Sequence, residues 1–205
     1  GAYVGWGNKK VSLMSSVRYK TTRYPLGSTD TNGEYRPNFL DYQAFFSWRP
    51  NRRWSFDVLG NISDNHYNFV PHNRETKFGT ISEAKTFLVY FDGQEKDFFK
   101  TMFGAATLTR HFNPDTYLAL QFSTYATQEH ETYDIQGQYW LNEATTAEQL
   151  GVGTYLEHAR NRLRARVMNT GLRFRTKLTG HTLQAGFNWT RETIHDNSRE
   201  WEMRD

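Results

Sequence analysis

Apolar and polar residues alternate one by one along most of this chain, the period-two pattern of strands with two chemically different faces. In residues 10–22, Val11, Leu13, Val17 and Tyr19 share one face, opposite Lys10, Ser12, Ser16, Arg18 and Lys20. Residues 39–48 set Leu40, Tyr42, Ala44, Phe46 and Trp48 against Asp41, Gln43 and Ser47. Trp54, Phe56, Val58 and Ile62 alternate with Ser55, Asp57, Asn61 and Ser63. The same pattern carries Leu118, Leu120 and Phe122, and then Leu183, Ala185, Phe187 and Trp189. Residues 98–110 also read as strand, with faces less cleanly separated. In residues 161–176 the apolar positions change phase, from Leu163, Ala165 and Val167 to Leu172 and Phe174. That change predicts a β-bulge near residues 169–171. No amphipathic helix longer than two turns is visible.

These runs extend over roughly 10–14 residues, longer than the ~5–6 of common sandwich strands and close to the ~9–11 of a tilted bilayer-crossing strand. Three tight links separate them, at residues 49–53, 111–115 and 177–180, and longer polar stretches alternate with these links at residues 23–38, 64–97 and 129–158. Short turn, long loop, short turn is the arrangement of outer-membrane barrels. On this reading residues 80–91 are an excursion within the second long loop. Trp48 and Trp54 flank one short turn, while Tyr19, Tyr24 and Trp189 lie near the opposite strand ends, as rings at a membrane interface do. The expected fold class is therefore all-β: an antiparallel transmembrane β-barrel segment. About seven strands of a larger barrel are expected, open at both edges, with short periplasmic turns and long extracellular loops. Two alternatives are a complete small outer-membrane barrel of structural or adhesive role and a soluble carbohydrate-binding β-sandwich.

Composition narrows the function classes. The 205 residues include 33 aromatics, which argues against disorder. No stretch approaches the ~18 apolar residues of a transmembrane helix. Without cysteine there is no disulfide, zinc-thiolate site or cysteine nucleophile. A net charge of +3 is too small and too dispersed for a nucleic-acid partner.

Several stretches carry a family likeness: Phe78–Ile81 (FGTI), Val89–Asp97 (VYFDGQEKD), Glu131–Leu141 (ETYDIQGQYWL), Gly151–Thr154 (GVGT) and His158–Asn161 (HARN). In these words the chain resembles TonB-dependent outer-membrane receptors, of the type with a carboxypeptidase-regulatory-like module before the plug. The resemblance implies a barrel portion spanning residues 1–205, with the plug and the remaining strands outside this sequence. It implies location in a Gram-negative outer membrane and import of an unidentified ligand across it. The implied partners are outer-membrane lipid, TonB through a segment outside this chain, and a surface lipoprotein.

No catalytic constellation is present: G-x-S-x-G, Walker and H-E-x-x-H motifs are all missing. The expectation is a non-enzyme without cofactor or metal, since Glu129, His130 and Glu131, adjacent on a strand, cannot all face one ion. Asp92-Gly93 lacks the spacing of a calcium loop and reads as a turn. Ligand-binding candidates are Tyr133, Tyr139 and Trp140, planar rings beside Asp134, Gln136 and Gln138, suited to sugar or peptide capture. Arg164 and Arg166 join them as the deep members of the row Arg160, Arg162, Arg164, Arg166. Because an arginine on a lipid face costs about 2–4 kcal/mol near mid-bilayer, the row is expected to face a lumen, opposite an apolar band of Leu40, Phe46, Phe56, Val58, Leu118, Leu120, Phe122, Ala185 and Phe187. There the arginines would pair with acidic neighbours or hold an anionic ligand.

Overall fold

The computed structural model describes residues 1–21, 33–80, 84–143, 146 and 148–205. They form eleven strands: β1 (Ala2–Gly7), β2 (Val11–Thr21), β3 (Gly33–Tyr35), β4 (Asn38–Asn51), β5 (Trp54–Pro71), β6 (Arg74–Gly79), β7 (Ala84–Asn113), β8 (Thr116–Glu143), β9 (Gln149–Leu178), β10 (His181–Asn197) and β11 (Glu200–Arg204). All belong to one antiparallel sheet in the order β1-β2-β4-β5-β7-β8-β9-β10, with β3 on β5, β6 on β7 and β11 on β9. The tight links are hairpin turns where the pattern puts them, and their chemistry is local. Asn8 Oδ1 accepts from the Lys10 and Val11 amides at 2.8 and 2.9 Å, Asn51 Oδ1 from those of Arg53 and Trp54 at 2.8 and 3.1 Å, and Asn113 Oδ1 from that of Asp115 at 2.9 Å. Such side-chain bonds close turns in place of a backbone bond. The last hairpin turns at Gly180, whose φ of 75° suits a residue without Cβ.

The barrel expectation is overturned. The sheet is uncurled; its edges are open as expected, with the end strands β1 and β10 unpaired, but nothing in it bends toward a barrel wall. The length argument fails as well. Strands β7, β8 and β9 run for 30, 28 and 30 residues, or ~90–100 Å at ~3.3 Å per residue. That is about three times a bilayer's ~30 Å hydrocarbon core, so the match between strand and membrane was an artefact of counting only the cleanly alternating segments. Instead of seven strands the described residues form eleven. Residues 64–97 and 129–158 are mostly strand rather than long loops, and the described part of residues 80–91 is the start of β7 rather than an excursion. Of the first expected loop, residues 23–32 lie outside the described residues. The likeness to TonB-dependent receptors read from those five stretches, with the import function and outer-membrane location it implies, requires a barrel and is corrected by the open, uncurled sheet. An open antiparallel sheet with one apolar face is nearer to one layer of a sandwich.

Continuous register sorts the side chains onto two faces. The back face carries Leu40, Phe46, Phe56, Val58, Leu118, Leu120, Phe122, Ala185 and Phe187, the expected band, in cross-strand neighbourhoods such as Phe46–Val58, Leu120–Leu172 and Leu172–Phe187. The front face carries Asp41, Ser63, Thr101, Thr127 and Ala165 in a single row across β4, β5, β7, β8 and β9. Here Ser63 Oγ donates to Asp41 Oδ1 at 2.7 Å. No bulge occurs at residues 169–171, because β9 keeps one register with β8 from Thr176 through Gly151. Arg160, Arg162, Arg164 and Arg166 therefore stand on the back face with Leu172 and Phe174, not opposite the apolar band. The phase change was a change of side-chain chemistry along one face, not a change of backbone.

Candidate functional site

The far ends of β7, β8 and β9, away from the Asn turns, hold the site. Two short sequences, Gly137-Gln138-Tyr139 on β8 and Gly153-Thr154-Tyr155 on β9, run antiparallel with Gly137 opposite Tyr155 and Tyr139 opposite Gly153. Each glycine leaves open the space that the facing tyrosine ring fills. A Cβ on Gly137 would lie 2.1 Å from Tyr155 Cε1, and one on Gly153 would lie 2.2 Å from Tyr139 Cζ. Both glycines are buried under the rings. The two tyrosines thus lie across the sheet rather than standing up from it, and make a floor of two aromatic faces. Phe87 abuts Tyr139 at 6.0 Å between ring centroids, and Phe91 meets Tyr155 edge-on at 6.3 Å. Such offset and T-shaped contacts add roughly 0.5–1.5 kcal/mol each beyond the area they bury.

Over this floor lies a hollow of about 390 Å³, lined by Phe87, Val89, Phe91, Tyr139, Tyr155, Glu157 and Arg204. Arg204 stands opposite Tyr155 and Glu202 opposite Glu157, and Arg204 Nε donates to Glu202. Burial, reinforced by the Glu157 carboxylate, raises the Tyr155 phenol above its ordinary value, so it stays a neutral hydrogen-bond donor. Next along the front face, Glu95, Asp97 and Glu131 bring carboxylate oxygens within 4.8 Å of one another. Burial and then repulsion from Glu95 and Glu131 push Asp97 up to about 6. Burial and the surrounding carboxylates also raise Tyr133, which stands opposite Glu95.

The structure therefore divides the five candidates. Tyr139 is a floor residue and Tyr133 borders the acidic group, both on the front face. Trp140 is on the back face, edge-on to Tyr90 at 5.1 Å. Arg164 and Arg166 are also behind, level with Gln128 and Ala126. Arg166 borders a second hollow of about 510 Å³ above the small residues Ala44, Gly60, Gly104 and Ala126. Of the acidic neighbours open to the arginine row, Glu129 and Glu131 are on the front face and out of its reach; Arg160 pairs with Asp134. Asp92-Gly93 is strand, not turn. Sequence reasoning missed Tyr155, Phe87, Phe91 and Glu157, although the repeated Gly-x-Tyr on two neighbouring strands was a usable signal.

No protein-family model and no curated protein matches this chain.

Proposed function

We propose that the chain is a carbohydrate-binding all-β module that acts by binding rather than by catalysis. The observation that carries this reading is the reciprocal Tyr139/Gly153 and Tyr155/Gly137 floor. A flat apolar ring face accepts the C–H face of a pyranose, while a few polar groups at the rim fix its orientation. Glu157, Arg204 and the Tyr155 hydroxyl supply that rim. The volume falls within the ~300–1,000 Å³ of small-ligand sites. Because Glu157 lines the hollow and Glu95, Asp97 and Glu131 follow along the same face, the preferred sugars are neutral or amino sugars, not uronic acids.

The test is calorimetric titration of neutral, amino and acidic oligosaccharides into the wild-type chain and into Tyr139→Ala and Tyr155→Ala. Binding of a neutral or amino sugar that both variants weaken supports the reading. Binding of none of the panel, or binding unaffected by the double variant, refutes it.

A further inference from the structure

The back face of β8, β9 and β10–β11, behind the acidic front, holds more cations than counterions. Two cross-strand rows meet there. His130, Arg162 and Asn197 form one, since Arg162 is opposite both of the others. Thr132, Arg160 and Arg199 form the next: Arg160 is opposite Thr132, and its amide donates to the Arg199 carbonyl at 2.9 Å. These six residues, with Asn161, line a hollow of about 270 Å³.

We propose that this hollow binds a tetrahedral oxyanion, a phosphate or sulfate group. The pattern of pairing carries the inference. Arg160 is neutralised by Asp134, which also takes His158. Neither Arg162 nor Arg199 has a carboxylate within ion-pair distance among the described residues, and the two stand in adjacent rows. Like charges on facing strands are destabilising, and a row serving only the sheet would alternate with acids. Apart from Asp134, the nearby acids project from the other face: Asn161 Nδ2, which donates to Glu131 at 2.8 Å and also to Glu200, holds two of them there. His130 Nε2 is buried with no hydrogen-bond partner. Burial first, and then the nearby Arg162 and Arg164, lower its proton affinity. Two guanidinium forks and an unfilled imidazole nitrogen around one hollow match the several acceptor oxygens of a tetrahedral anion. This site lies across the sheet from the tyrosine floor and stands independently of the carbohydrate reading.

The experiment is calorimetry and phosphorus NMR on the full 205-residue chain with inorganic pyrophosphate, glucose 1-phosphate and unmodified glucose. Saturable one-site binding of pyrophosphate is expected, with at least an approximately tenfold loss in Arg162→Gln and in Arg199→Gln, because each removes a charge-assisted bond. Arg162→Lys should recover part of the loss. Arg191→Gln, further along the same face opposite Met168, should change affinity less than about twofold. Glucose 1-phosphate binding as tightly as pyrophosphate would assign the group to a sugar ester, and its failure beside bound pyrophosphate would assign a free oxyanion. Arg199 is exposed at a strand end, so its variant reads the site even if Arg162→Gln misfolds. No saturable pyrophosphate binding, or binding by both Gln variants as tight as by the wild-type chain, overturns the proposal.

Discussion

Adding one methyl group under each tyrosine ring separates the binding role of the floor from its structural role. In Gly137→Ala the new Cβ would sit 2.1, 2.6 and 2.8 Å from Cε1, Cζ and Cδ1 of Tyr155, far inside van der Waals contact. Because the clash reaches toward the ring's stem, the whole ring must rotate off the strand. In Gly153→Ala the Cβ meets mainly the far end of Tyr139, with Cζ and Oη both at 2.2 Å, and a smaller tilt relieves it. Overpacking costs ~1–3 kcal/mol in a closed core, but these rings can swing toward solvent, which favours the low end. Alanine recovers about 0.5–1 kcal/mol of the chain entropy that a strand glycine loses. Global stability should therefore fall by no more than about 1–2 kcal/mol in either variant. Losing one stacked ring should cost ~0.5–1.5 kcal/mol of sugar binding, roughly two- to tenfold, and more in Gly137→Ala than in Gly153→Ala. Urea unfolding gives the first quantity, calorimetry the second, and near-ultraviolet circular dichroism shows whether the rings moved. If the double variant displaces both rings and still binds oligosaccharide within about twofold of wild type, the floor is not the binding surface.

Three further outcomes follow from the charges and the edges. The Asp97 carboxyl takes up its proton more readily when folded, at about 6 against ~3.9 unfolded. Its stabilising contribution is thus complete below pH ~3.9 and is lost as the pH rises through about 6; urea melts should show stability falling by about 1 kcal/mol from pH 5 to 7.5 after allowance for solvent screening. Asp97→Asn should flatten that slope, and a wild-type slope of opposite sign refutes the assignment. Asp134→Asn releases Arg160 and should tighten pyrophosphate binding by roughly two- to fivefold, within the worth of an exposed ion pair; weaker binding would place Arg160 outside the site. The unpaired edges β1 and β10, together with the apolar back face where Phe187 is 68% exposed, should make the isolated chain self-associate without detergent, and a monodisperse monomer by light scattering would contradict this.

The turn-end halves of the strands were legible because one face there is apolar and the other polar, and because Asn51, Asn113 and Gly180 mark the hairpins; the short β1 and its turn at Asn8 were not read. The far halves were not. Residues 129–134 place Glu129, Glu131 and Tyr133 on one face and His130, Thr132 and Asp134 on the other, so neither face is apolar and the alternation has no contrast. They are strand nonetheless, because β7, β8 and β9 supply each other with equally long partners and the backbone ladder continues whatever the side chains are. The change at Met168–Leu172 misled for the related reason that hydrophobic phase reports chemistry and only register reports geometry. Of the site, Tyr139 could be named from its ring and its polar neighbours. Tyr155 could not, since its role depends on facing Gly137, and the spacing of 18 residues between them says nothing until the hairpin register is known.

Apart from Asp134 on the back and Arg204 on the front, that register also separates the charges of the far end by sign. Glu95, Asp97, Glu129, Glu131 and Glu157 are on the front, and Arg160, Arg162, Arg164, Arg166 and Arg199 on the back. Most ion pairs that such residues could form across strands are therefore forgone, and like charges are neighbours on both faces. Burial is the first cause of the raised Asp97 and the depressed His130, and like-charged neighbours add to both. A sheet of this kind responds to salt in the opposite sense to one laced by cross-strand pairs. Raising ionic strength from ~0.01 to ~0.15 M shortens the screening length from ~30 to ~8 Å and weakens repulsion on each face. Exposed attractive pairs, worth ~0–1 kcal/mol apiece, are few enough here to lose less than the repulsions do. Hydrogen exchange of the β8 and β9 amides over residues 128–134 and 157–164 should therefore slow as sodium chloride is added, while amides near the Asn51 and Asn113 turns stay unchanged. Faster exchange at the far end in salt would mean that attraction, not repulsion, dominates there, and that the cations of the back face already have the partners they need.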